Sequence, residues 1–345
     1  MSRQSSDPRR VSRRDFLKAG VLGTGALAGL AALQRAASAA GPAPSAANAA
    51  AHHDDPMGHG GSGTVGDVDI TRFDPMAFAS TFDRGRVSTT PEGRRLREWD
   101  VVAIEKEIEV APGIWFPAWT YNGQVPGPSF RCEEGEILKV NFTNGTSHAH
   151  TIHFHGIHPP SMDGITPQVM PGESFTYEFE ARPFGLHLYH CHTMPLKRHI
   201  HKGLYGAFII DPPGGRAPAR EFVMVMNAFD TNFDSANEIY AVNTVGFHYL
   251  RHPIPVRIGE PIRVYLVNIT EFDLVNSFHL HAGMFRLYRT GTNLDTYEYT
   301  DTVTMGQGER HVLEFTLDYP GQYMFHAHQS EFAELGWAGF FEATE

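Results

Sequence analysis

From about residue 95 onward, short apolar runs rich in β-branched and aromatic residues alternate with Gly, Pro and Asn. The stretch "GEILKVNFTNGT", which begins at Gly135, shows the pattern: apolar and polar residues alternate, and turn residues end the segment. A period of two is typical of a half-buried β-strand. No long segment has the 3.6-residue period of an amphipathic helix, so the pattern predicts an all-β protein.

A break in the strand pattern divides this region in two. The segment "DPPGGRAPAR", from Asp211 to Arg220, has Pro and Gly where a linker needs them, and strand signals resume after it. We therefore predict two β-sandwich domains, over residues 95–212 and 217–345.

The two halves also resemble each other. "GEILKVNF" is echoed by "GEPIRVYL" from Gly259, and "HFHG" at His153 by "HLHAG" at His279. Each half has a glycine, Gly172 or Gly308, 18 residues before a histidine, His190 or His326. A duplicated β-domain explains these matches.

The N-terminus is predicted to be a targeting signal. Residues 1–40 contain "SRRDFLKAG", an apolar run and the small-residue sequence "ASA", a pattern similar to a twin-arginine export signal. The apolar run is too short to favour a permanent membrane span, so we expect a periplasmic or extracellular protein. Residues 41–94, rich in Ala, Gly, Pro and Ser, are predicted to form a flexible extension. The alternative is a loose copper-binding tract that uses His52, His53, Met57 and His59.

Charge and cysteine content exclude two classes of protein. Without residues 1–40 the chain keeps 28 − 7 = 21 basic and 39 − 2 = 37 acidic side chains, a net charge of −16 with histidine neutral. Such a surface repels nucleic acid. With only Cys132 and Cys191, the chain forms at most one disulfide and is not a disulfide-rich scaffold.

The 20 histidines instead point to metal chemistry, because four H-x-H pairs occur at matching places in the two halves. Side chains two apart in a strand share a face, so each half presents four imidazoles on one surface. Imidazole suits copper, zinc, iron and nickel. The pairs are His153 with His155, His190 with His192, His279 with His281, and His326 with His328.

Cys191 lies between two of these histidines and must face the opposite side of its strand. His150, three residues before His153, also faces away from the H-x-H pair. A second site is therefore predicted back to back with the first, built from His150, Cys191 and a downstream histidine. Two histidines and one thiolate are the ligands of a blue copper centre. In the second half Asn276 and Ala327 stand at the equivalent positions, so no such centre is expected there.

The motifs "HTIHFHG", "YHCH" and "YNGQVPGP" resemble those of the multicopper oxidases, in particular the two-domain subgroup with blue copper in the first domain only, which is related to the copper nitrite reductases. The resemblance implies two cupredoxin-like Greek-key domains and four coppers per chain. It assigns His150, Cys191 and His199 to the type 1 copper, with Leu204 as a non-ligating axial residue; His153 and His279 to the type 2 copper; and His155, His190, His192, His281, His326 and His328 to the two type 3 coppers.

The loop between the "HCH" segment at Cys191 and the next histidine, His199, is longer than is usual in the oxidases. We choose His199 as the type 1 ligand because "HIHKGL" matches the family's motif, whereas His201 and an axial Met194 stay as alternatives. Asp163, in "SMDG", falls where the family places a carboxylate near the cluster and is interpreted as a proton relay, against a turn residue. Glu331 and Glu334 are weaker candidates for the relay.

The resemblance implies an oxidase that takes electrons one at a time from a small reducing substrate, phenolic or a metal ion, and passes them through Cys191 to reduce dioxygen to water. It also implies a homotrimer with its copper clusters at subunit interfaces. Two other functions are considered: a copper nitrite reductase, and a copper or electron-transfer protein without catalysis.

Overall fold

The computed structural model of the chain describes residues 66–273 and 275–345. Within these residues the fold is dominated by β-strands that form four sheets. Nine strands precede the linker: β1 Arg86–Thr89, β2 Arg95–Ala111, β3 Ile114–Tyr121, β4 Phe130–Glu133, β5 Ile137–Asn144, β6 His153–Phe154, β7 Ser174–Glu180, β8 Gly185–His190 and β9 Tyr205–Asp211. Eleven follow it: β10 Arg220–Phe229, β11 Ile239–Val242, β12 Ile254–Arg257, β13 Ile262–Asn268, β14 Val275–Leu280, β15 Phe285–Arg289, β16 Glu298–Thr300, β17 Thr302–Gly306, β18 Arg310–Phe315, β19 Gly321–His326 and β20 Ala338–Thr344.

The helices are short and connect the strands. They are α1 Pro75–Ser80, α2 Leu196–His201, α3 His248–Arg251 and α4 Ser330–Glu334, with a 3₁₀ turn at Pro160–Met162. None of the helices in the described part of the chain is long and apolar enough to cross a membrane.

The first half is a sandwich of two sheets. One has the order β1-β2-β5-β7 with β3 paired to β2, and the other has the order β4-β9-β8-β6. Aromatic residues of both sheets, among them Trp99, Tyr177, Phe130 and Tyr189, are buried between them. Two parallel pairs, β2 with β5 and β4 with β9, interrupt the otherwise antiparallel pairing. Such non-sequential pairing is expected of a Greek-key connection.

The second half repeats this plan. Its sheets have the orders β11-β10-β13-β18-β15-β16 and β12-β20-β19-β14-β17, again with one parallel pair each, β10 with β13 and β12 with β20. Phe222, Leu313, Phe278 and Phe341 lie in the core between the sheets. The prediction of an all-β protein with two cupredoxin-like sandwiches is therefore confirmed.

A third core joins the two halves. Leu186 and Ile209 of the first half pack with Val223 and Val267 of the second. This contact explains a difference between repeated strands: β5 alternates in burial, as its pattern predicts, whereas β13 is buried at every position. One face of β13 meets its own core and the other meets the first half.

The N-terminal extension differs from its prediction where the structure describes it. Residues 66–94 contain α1 and β1, and Val68, Phe78 and Ala79 are buried. Asp74 caps α1 by accepting hydrogen bonds from the backbone N–H groups of Met76 and Ala77. A flexible arm is therefore wrong for this segment, because a few apolar residues within the polar composition pack against the sandwiches. The predicted export signal and residues 41–65 lie outside the described residues.

Candidate metal centres

The thiol of Cys191 and two imidazoles converge inside the first sandwich. Cys191 Sγ lies 3.3 Å from His199 Nδ1 and 3.8 Å from His150 Nδ1, and the two Nδ1 atoms are 3.0 Å apart. All three residues are buried. Three donors bonded to one ion at about 2.0–2.3 Å lie roughly 3–4 Å from one another. The spacing and the donor types thus fit a trigonal copper site.

The residues that the sequence left as alternatives lie in different surroundings. His201 is also buried, but its Nε2 accepts a hydrogen bond from the backbone N–H of Asp230 at 3.2 Å. The side chain of Met194 is 75% exposed and so does not enter the buried group. Leu204 is fully buried, and its carbonyl accepts a hydrogen bond from the Cys191 N–H at 2.9 Å. Leu204 and Cys191 belong to the same apolar core.

Sequence reasoning missed the residue that covers this group. The Trp119 ring centroid lies 5.1 Å from that of His150 and 4.9 Å from that of His199, and it is also 4.7 Å from that of the half-exposed His148. β3 carries Trp119, and no motif in the sequence marks this position as part of a site.

The H-x-H pairs of the first half form a second group on the opposite side of Cys191. His153 faces His190 across the pairing of β6 with β8, and His155 Nε2 lies 3.3 Å from His190 Nε2. The His192 ring centroid is 5.3 Å from that of His153. The side chain of Cys191 thus lies on one side of this segment, and those of His190 and His192 lie on the other.

The second half builds the same arrangement. His279 faces His326 across the pairing of β14 with β19, and His281 Nε2 lies 2.9 Å from His326 Nε2. The His328 ring centroid is 5.3 Å from that of His279. His281 and His328 are exposed, whereas His190 and His192 of the first half are not.

Hydrogen bonds fix the orientation of four of these imidazoles. The Nδ1–H of His190 donates to the Cys191 carbonyl at 2.9 Å and that of His326 to the Ala327 carbonyl at 2.6 Å. In the same way His153 and His279 donate to the carbonyls of Asp163 and Asp301, at 2.7 and 3.0 Å. This tautomer leaves Nε2 as a lone-pair donor, as in metal sites where a ligating histidine is held through its other nitrogen.

Burial favours the neutral form of four of these imidazoles. It depresses the pKa of His150 to about 3, that of His155 to about 2, and those of His190 and His199 to about 4. Burial also raises the pKa of the Cys191 thiol. A cation bound between these donors offsets the cost of the buried thiolate, so the chemistry of the donor set fits copper.

The first-half histidines and the second-half histidines are separate groups within one chain. Close donor atoms form one group with His153, His155 and His190, and another with His279, His281 and His326. In the described part of the chain, no such group mixes histidines of the two halves. Each half therefore presents a partial set of imidazoles.

Asp163 adjoins the first-half group. Its Oδ1 is 3.2 Å from His153 Nδ1 and 3.0 Å from Nε2 of His158, a histidine outside the H-x-H pairs. The carboxylate thus lies within reach of a candidate ligand, as a relay requires. Glu331 and Glu334 are exposed on α4.

Comparisons with known proteins identify the family and the fold. Sequence models of multicopper oxidases match residues 105–215 and 217–345. A crystal structure of a multicopper oxidase is 53% identical in sequence, with a TM-score of 0.79, over 80% of this chain and all of that one. The copper nitrite reductase from Nitrosomonas europaea is 25% identical, with a TM-score of 0.67, over 72% of this chain and 94% of that one.

The copper-containing nitrite reductase of Neisseria meningitidis is 30% identical over 64% of this chain, and the match covers 62% of that relative's length. The fold and the donor groups define a copper protein of two cupredoxin-like halves. With both halves matched, the chain belongs to the multicopper oxidase family.

Proposed function

We propose that the protein is an exported multicopper oxidase that oxidises a small reducing substrate, phenolic or a metal ion, and reduces dioxygen to water. The observation that carries this proposal is the back-to-back arrangement at Cys191. Its sulfur joins the buried group with His150 and His199, while the adjacent His190 and His192 belong to the imidazole group on the other side.

In this proposal the first group holds the type 1 copper and the eight H-x-H histidines hold the type 2 and type 3 coppers. The bound coppers supply one-electron oxidation at the first site and four-electron reduction of dioxygen at the second. The chain contributes a short covalent path: from Cys191 Sγ the backbone leads to either neighbouring imidazole. Asp163 holds His153 in position and is placed to carry protons.

Nitrite reduction is the rival function, because relatives and structural neighbours include copper nitrite reductases. The imidazoles of His153, His192, His281 and His326 favour the oxidase, since a mononuclear catalytic copper needs fewer ligands. Copper analysis and oxygen uptake with a panel of donors test the proposal. Four coppers per chain and donor-dependent oxygen consumption are expected. Two coppers per chain with nitrite as the electron acceptor would indicate a nitrite reductase. Bound copper without turnover of any donor would indicate an electron carrier.

We also propose that the complete cluster forms between chains of a homotrimer, as the two separate groups within one chain suggest. In a ring, the first half of each chain meets the second half of the next. His155→Ala and His281→Ala should each inactivate the enzyme. When the two variants are co-assembled at equal amounts, about one quarter of the interfaces combine two intact halves. We therefore expect about one quarter of the activity to return, whereas a cluster within one chain would give no return. Sedimentation should show a particle of three chains.

A further inference from the structure

A cavity of about 400 Å³ lies beside the linker between the two halves, and none of the candidate copper ligands lines it. Its volume falls in the range of roughly 300–1,000 Å³ typical of small-molecule sites. Five arginines and two carboxylates line it, in a chain whose net charge is −11. The arginines are Arg84, Arg95, Arg97, Arg131 and Arg216, and the carboxylates are Glu133 and Asp211.

Three of these arginines have carboxylate partners within the fold. Arg131 donates to both oxygens of Asp211, at 2.7 and 3.1 Å, and its Nη1 donates to Glu221 at 2.6 Å, which ties the first half to the second. Arg97 donates to both oxygens of Glu136, at 2.5 and 2.8 Å, and Arg95 Nε lies 3.0 Å from Glu136 Oε1. Ion pairs within the fold therefore account for these three guanidinium groups.

Arg216, in the linker, is different. Its side chain is only 3% exposed, yet neither Nε nor Nη2 has a hydrogen-bond partner. The nearest carboxylate oxygen, Asp211 Oδ1, is 3.3 Å from Nε and already accepts from Arg131. Two buried guanidinium N–H groups without hydrogen-bond partners are costly, so these donors call for an acceptor in the cavity that Arg216 lines.

Other features of the cavity suit an oxyanion. Arg84 is exposed at its edge and adds positive charge. Gly214 and Gly215, with φ of +84° and +82°, form a turn without side chains on the same wall. Guanidinium groups bind tetrahedral oxyanions through paired N–H donors.

We propose that this cavity binds a tetrahedral oxyanion, phosphate or sulfate, through Arg216 with help from Arg84. Arg216 belongs to the linker and Arg84 lies just before β1 of the first half, so an anion bound by both fastens the linker to the first sandwich. The site is independent of the oxidase chemistry.

Calorimetric titration of the copper-loaded protein with inorganic phosphate, at an ionic strength held constant with chloride, tests the site. Saturable binding of one phosphate per chain is expected, with sulfate competing. Arg216→Gln should weaken binding at least tenfold and Arg84→Gln severalfold. Arg220→Gln is the matched control, because Arg220 is exposed nearby, stacks on Phe222 and does not line the cavity.

Absence of saturable binding to the unaltered protein would overturn the proposal. So would an affinity that Arg216→Gln leaves unchanged, since phosphate bound at copper does not depend on this arginine. Circular dichroism checks that the variants are folded. If Arg216→Gln does not fold, Arg84→Gln decides: this side chain is exposed, so an unchanged affinity in that variant rejects the site.

Discussion

The same place in the two sandwiches holds the candidate type 1 copper ligands in the first half and packed core in the second. Backbone hydrogen bonds show which residues correspond. In the first half the N–H of Cys191 donates to the carbonyl of Leu204, and the N–H of Leu204 donates to the carbonyl of His199. In the second half the N–H of Ala327 donates to the carbonyl of Trp337, and the N–H of Trp337 donates to the carbonyl of Phe332. The second half therefore has Asn276, Ala327, Phe332 and Trp337 where the first has His150, Cys191, His199 and Leu204.

The replacements in the second half are well packed. Phe332 stacks on Tyr240 with ring centroids 4.0 Å apart, and Trp337 is fully buried within 6.0 Å of the Phe278 ring. Asn276 donates to Thr270 at 3.0 Å. The two halves thus keep the same H-x-H group whether or not the buried cysteine–histidine group is present beside it. In the second half, apolar side chains fill the space that this buried group occupies in the first.

The largest effect is expected from the thiol. Cys191→Ser should abolish the intense visible thiolate-to-copper band and lower oxygen uptake by about a thousandfold or more, because it removes a ligand and the electron path together. Cys132→Ser is the control, since Cys132 is also buried in the first sandwich but lies outside the ligand group. Absorption spectra and oxygen electrode traces give the result. A band that survives in Cys191→Ser refutes the type 1 site.

The next comparison separates two buried histidines of α2. His199→Ala should bleach the visible band, whereas His201→Ala should keep it, because His201 bonds to the Asp230 backbone rather than to the thiol group. Copper content and spectra of both variants measure the difference. Bleaching by His201→Ala alone would reverse the ligand assignment.

The packed site of the second half should respond in stability instead. Trp337→Ala removes a large, fully buried side chain and should lower the free energy of unfolding by about 3–5 kcal/mol. Tyr319→Ala, in the same half and 75% exposed, should cost little. Denaturant unfolding followed by circular dichroism compares them. Equal losses would mean that Trp337 is not part of a tightly packed core.

Much of the difference between the two halves can be predicted from the sequence, because the alternation of side chains along a strand depends only on local spacing. The sequence predicts that Cys191 and His190 point to opposite sides of the strand. It also identifies Asn276 and Ala327 as the residues that stand where the first half has His150 and Cys191. It does not identify Phe332 and Trp337, because the connection from Ala327 to Trp337 is three residues shorter than that from Cys191 to Leu204. Trp119 and His158 reach their sites through tertiary packing, which no local pattern records.

A smaller and more specific effect is expected at Leu204, which is buried in the same core as Cys191. If Leu204 holds the axial position that the family resemblance gives it, Leu204→Met would add a thioether ligand there and should lower the reduction potential of the type 1 copper, since a stronger axial ligand favours the oxidised ion. Because Leu and Met have similar volumes, the stability cost should stay below about 1.5 kcal/mol. Redox titration of the visible band measures the potential. Ile210→Met, elsewhere in the same core, is the matched control and should leave the potential unchanged. An equal shift in both variants would attribute it to general packing rather than to axial ligation.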